Sequence, residues 1–111
     1  MTGKTKANYL SALVKQSQVS DAVFRLVTVF LLYENLGIAK FTQAELGEKL
    51  GWSVKSMDRA LRESERLCLI SRHRYAQGKA NGYSLNVAKL REIYLNETHG
   101  YLSFSNEGKV S

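Results

Sequence analysis

The chain has no proline, one cysteine and no long apolar run. Without proline, internal repeats or low-complexity tracts, nothing suggests a repeat array or a Pro-rich linker, and 111 residues make one domain the default. The single Cys68 excludes an intrachain disulfide. We expect it to be a small buried thiol on the apolar side of its helix. The most apolar stretch, residues 23–33, is broken by Arg25 and Thr28 and is too short to span a bilayer. The start, Met1-Thr2-Gly3-Lys4-Thr5-Lys6, carries no apolar signal region, so we expect a soluble cytoplasmic protein. No Gly-rich phosphate loop, metal-ligand cluster or activated-nucleophile pattern occurs, which argues against an enzyme and implies no cofactor. Acidic residues are missing from residues 66–91, where six cations lie. With a net charge of +6, this distribution favours a polyanionic partner.

What is present begins with residues 1–7, read as a basic frayed arm, and a short helix over 8–16 through Tyr9, Leu10, Leu13 and Val14. A helix over 21–36 has Ser20 as N-cap, Asp21 at its positive end and Gly37 at its exit. Asp21, Arg25, Thr28 and Asn35 form a polar stripe that contains Leu32. Val23, Phe24, Leu26, Val27, Phe30 and Leu31 cover most of the other circumference, wider than one buried face requires. Either residues 8–16 cover the second side, or a homodimer forms there through Phe24, Leu31 and Leu32.

Residues 38–41 read as a strand. Thr42-Gln43-Ala44-Glu45 has the capping-box form, with Phe41 and Leu46 at staple positions, so a helix starts near Gln43. It ends at Gly51, which suits a left-handed turn. Ser53 caps a second helix over 54–67, with Trp52 packing at the turn. Lys55, Arg59, Arg62 and Arg66 fall within an arc of roughly 60° on that helix. Val54, Met57, Leu61 and Cys68 mark its other side. Residues 70–75 and 83–86 read as strands joined by Ala76-Gln77-Gly78-Lys79-Ala80-Asn81-Gly82, which is hairpin chemistry, with Tyr75 and Tyr83 paired across it. Asn86 caps a last helix over 87–97. Residues 98–111 read as a flexible tail, and 101–105 alternate like a strand.

This order of elements, and the residues themselves, resemble the winged helix-turn-helix superfamily of bacterial, plasmid and phage proteins. The resemblance covers about residues 20–86. It rests on Gly47 and Gly51 as small and turn residues, Leu46 and Leu50 on one packing face, and Met57 with Leu61 on the other. Leu-Cys-Leu-Ile-Ser-Arg (67–72) and Tyr-Ser-Leu (83–85) resemble the entry to the wing and its return strand. Gly47 stands where alanine is more usual. Regulators of the MarR or GntR type share this pattern, as do replication initiators and replisome organisers. The resemblance implies a mostly α, α+β fold: a three-helix core, a β-hairpin wing and flanking N- and C-terminal helices.

It also implies a double-stranded DNA partner, bound for transcription regulation, replication or DNA transfer. A helix fits the major groove, where Ser53, Lys55, Ser56 and Arg59 are candidates for base edges, and Arg62 and Arg66 for phosphate. The wing would offer Arg72, His73, Arg74, Lys79 and Asn81 to the backbone or minor groove. Thr42 and Gln43, at a helix N-terminus, are candidates for a further phosphate. His73 and His99 lack the company a metal needs, and no residue set points to a small-molecule ligand. The alternative is a winged-helix interaction module using Leu32, Leu102 and Phe104.

Overall fold

The computed structural model describes residues 1–73 and 82–110, from residue 99 on as backbone alone. Its elements are α1 (Gly3–Val14), α2 (Asp21–Leu32), β1 (Lys40–Thr42), α3 (Gln43–Leu50), α4 (Val54–Arg66), β2 (Ile70–His73), β3 (Gly82–Leu85) and α5 (Val87–Val110). This is a mostly helical α+β architecture with a small antiparallel sheet, consistent with a winged-helix fold. The candidates Arg74, Lys79 and Asn81, the Tyr75 half of the expected tyrosine pair, and the side chains of His99, Leu102 and Phe104 lie outside the described residues.

Val23, Leu26, Val27, Phe30 and Leu31 recur at helical spacing in α2 and are all buried. Burying each such side chain contributes roughly 1.5–3 kcal/mol. The wide apolar circumference is used twice: α2 packs against α1 on one side and against α3, α4 and β3 on the other. Helix α1 begins at Gly3, capped by Thr2 Oγ1 accepting from the Thr5 N–H at 3.1 Å, so residues 1–7 are mostly helix rather than a frayed arm. Its Tyr9, Ala12 and Leu13 are buried, and Tyr9 meets Tyr94 of α5 edge to face at 5.9 Å.

Helix α2 stops at Leu32, four residues before the expected end. Just beyond its end, the buried carboxylate of Glu34 accepts the Gly37 N–H at 2.6 Å and lies 3.4 Å from Lys6 Nζ and from the Met1 amino group. The chain then reverses through Asn35-Leu36-Gly37-Ile38, with φ of 54° at Leu36 and 80° at Gly37. Two positive φ values in succession are the mark of a type I′ turn.

The sheet order is β1-β3-β2, all antiparallel, with Phe41 opposite Tyr83 and Arg72 opposite Tyr83 from the other side. Both capping-box bonds form: Thr42 Oγ1 accepts from Glu45 N at 3.2 Å, and Thr42 N donates to Glu45 Oε1 at 3.0 Å. Gly51 turns the chain at φ 67° and Ser53 caps α4. Met57, Ala60, Leu61 and Ser64 form the buried face of α4, and Trp52 packs against the core at the turn.

Two residues assigned to that face from spacing are exposed. Val54, in the first turn, overhangs the core and is 77% exposed. Cys68 lies past the end of α4 at φ 62°, so helical extrapolation fails and its thiol is exposed. The buried position goes to Leu69, whose N–H bonds back to the Ser64 carbonyl at 2.9 Å.

Helix α5 runs on to Val110, so neither the expected end at 97 nor the strand-like alternation over 101–105 describes its backbone. Gly100 does not break it, as one glycine costs a helix only about 1 kcal/mol and no proline follows. Leu90 is buried, Ile93 and Tyr94 pack against the core, and Gln16 donates to Glu97 at 2.7 Å. Among the described residues no helix is long and apolar enough to cross a membrane.

Candidate nucleic-acid interface

Helix α4 follows α3 across the Gly51 turn, and its surface divides by side-chain type. Lys55, Arg59, Arg62 and Arg66 are all exposed, diametrically opposite the buried Met57, Ala60, Leu61 and Ser64. The first turn carries no acidic residue, so the positive end of the helix dipole adds to Lys55.

The charges are unequally committed. Arg62 Nε lies 3.1 Å from Asp58 Oδ2, an exposed pair of small energetic weight. Glu63 does not pair with Arg59; it accepts instead from Ser20 Oγ at 3.4 Å. Among the described residues Arg59 has no ion-pair partner. Ser53 Oγ accepts the Ser56 N–H at 3.2 Å and lies 3.1 Å from Ser56 Oγ. With one hydroxyl proton used between them, the other remains available outward.

On the sheet, Arg72 is tied down. Its Nη2 and Nε lie 3.0 and 3.1 Å from Glu65 Oε1, and its guanidinium sits 5.8 Å from the Tyr83 ring centre. Tyr83, and then the Glu65 carboxylate, raise its pKa further. It braces β2 against α4 rather than projecting from a wing. The exposed His73 bonds through Nε2 to Ser84 Oγ on the facing strand.

At the start of α3 the structure places a carboxylate where the sequence suggests a phosphate. Glu45 accepts the Thr42 N–H, and that bond, then the Thr42 side chain, lowers its pKa. An incoming anion at Thr42 and Gln43 would meet this charge. The exposed Val54, next to Lys55 on the outer turn of α4, joins the candidate surface instead. Its place at the first helical residue, where the helix has barely met the core, was the available signal. Among the described residues no group of His, Cys, Asp and Glu stands close enough to hold a metal ion.

No protein-family model matches the chain, and no curated protein matches it in sequence. Its structure is similar to that of a possible transcriptional regulator from Methanosarcina mazei Go1, with a TM-score of 0.57 and 13% identity over 95% of this chain and 85% of that one. At that identity the likeness shows a shared fold.

Proposed function

We infer that this chain is a sequence-specific double-stranded DNA-binding protein with α4 as its reading helix. The observation that carries this is the division of α4 into four exposed cations and an opposite buried face, directly after a glycine turn. Ser53, Lys55, Ser56 and Arg59 face base edges in the major groove, and Val54 is suited to a thymine methyl group. Arg62 and Arg66, further along, meet phosphates. His73, Arg74, Lys79 and Asn81 belong to the wing in this reading, on the backbone or in the minor groove. Arg72 and Thr42 are given internal roles by their contacts, and Gln43 stays a candidate for phosphate at the start of α3.

The use most in keeping with the structural neighbour's name is transcription regulation; origin binding in plasmid or phage replication or DNA transfer uses the same surface. No chemistry is assigned to it, and it would act in the cytoplasm. Homodimerisation through Phe24, Leu31 and Leu32 needs revision. Leu31 is 1% exposed and serves the chain's own core, whereas Leu32 is 69% exposed. Leu32, Tyr33, Leu36 and Ile38, all exposed at the end of α2 and its turn, are the better dimer surface. The same apolar group favours a second reading, an interaction module without DNA readout.

An unbiased DNA selection on the purified protein, repeated across a salt series, separates these. A palindromic motif supports a sequence-specific dimer, and direct repeats support origin binding. Steeply salt-dependent binding without a motif means sequence-independent coating. No binding at low salt leaves the interaction module.

A further inference from the structure

Among the described residues α4 exposes one large apolar side chain, and it stands at the entry of the helix. Val54 is the first residue of α4 and is 77% exposed. It takes no part in the core, and a β-branched side chain favours a helix less than alanine does. Folding therefore gains nothing from a valine at this position. The first turn of a reading helix is also the part that meets base edges.

The neighbours of Val54 define what it can recognise. The first turn holds no acidic residue, and the carboxylate one turn on, Asp58, lies 3.1 Å from Arg62 Nε. No carboxylate among residues 54–61 is left free to accept the amino group of a cytosine. Lys55 can donate to guanine O6 and N7 or to thymine O4. The Oγ atoms of Ser53 and Ser56 lie 3.1 Å apart, and a hydroxyl donates or accepts according to its surroundings. Hydrogen bonds from this turn therefore separate one pyrimidine from another poorly. The two methyl groups of Val54 add a different test. Thymine and 5-methylcytosine carry a methyl group on C5 in the major groove, whereas uracil and cytosine do not.

We propose that Val54 makes DNA binding depend on a pyrimidine C5 methyl group, so that cytosine methylation at that position of the site regulates binding. This rests on the DNA-binding reading above. Taking the methyl group away leaves the hydrogen-bonding groups of the base in place, so a single apolar contact is isolated. Burial of one such group against Val54 changes affinity about fourfold.

The purified full chain is presented with its selected site, each thymine replaced in turn by deoxyuridine. Replacement at one position of the motif should weaken binding about fourfold. At the same position, cytosine should bind more weakly than 5-methylcytosine by a similar factor, each paired with guanine. Val54→Ser should remove both differences, and Val54→Ile should keep them. Val54 is exposed, so an unchanged melting temperature is expected of both variants and shows that they fold. A selected motif without a required thymine, or indifference to deoxyuridine at every position, overturns the proposal and leaves the DNA-binding reading standing. So do methyl effects that persist undiminished in Val54→Ser, since the group would then act through the DNA and not through this side chain. Failure to select any motif removes sequence-specific reading, and the methyl dependence with it.

Discussion

Arg72 on β2 reaches Glu65 on α4, with two guanidinium nitrogens 3.0 and 3.1 Å from one carboxylate oxygen. This clasp joins the sheet to the cationic helix, and its partners are seven residues apart. Arg72→Ala should therefore act on stability. We expect a loss of about 1 kcal/mol, from a partly exposed ion pair and the contact with Tyr83. Thermal melting should show a drop of several degrees for a domain of this size. The salt dependence of DNA binding should not move; a slope flatter by about one unit would mean that Arg72 meets a phosphate.

Arg59 and Arg62 should behave differently although both project from α4. Arg59→Ala should cost roughly 1–3 kcal/mol on the preferred site and relax the choice at one base position. Arg62→Ala should weaken all sequences alike and reduce the salt slope by about one unit. Repeating the selection and the salt series on both variants checks this, and identical outcomes would defeat the division of roles.

Glu34 predicts an acid limb in the stability profile. The Gly37 N–H is the largest influence on it; together with Lys6 and the Met1 amino group it outweighs burial and holds the carboxyl below its usual 4.5. A pKa lowered by folding stabilises the protein fully above the unfolded-state value, and the gain is lost as pH falls through the folded one. Glu34→Gln should thus be less stable than the unaltered protein at pH 7, with the gap closing below about pH 4. Urea unfolding at several pH values measures it, and a gap that does not change with pH would deny the role of the charge.

Leu36 holds φ 54° and is 88% exposed, a costly conformation for a leucine with nothing gained from burial. Leu36→Asn should stabilise the monomer by about 1 kcal/mol, since asparagine tolerates this turn position. Sedimentation at matched concentrations should accompany the melt. If Leu36 belongs to a dimer surface, the substitution should lower association while raising monomer stability.

The helix-turn-helix was legible because its signals are local. Thr42 and Glu45, Phe41 and Leu46, Gly51, and Ser53 with its α4 spacing all act within about five residues, between one and two helical turns. The stripe of Lys55, Arg59, Arg62 and Arg66 follows from helical periodicity alone, and its exposure agrees with it. Periodicity misled at the helix ends. Val54 and Cys68 have the angular positions of core residues, but one overhangs the core and the other follows the last turn.

Contacts between distant segments decided the rest. Glu34 just after α2 meets Lys6 of α1, and Arg72 braces on Glu65 across the α4–β2 connection. The width of α2's apolar surface showed that a second side had to be covered, but not whether α1 or another chain would cover it. The amino-acid order dictated caps, turns and the cationic face, since those energies are set between near neighbours. Which charges stay free to meet a partner was settled only when the chain closed on itself, because an ion pair depends on distance in space.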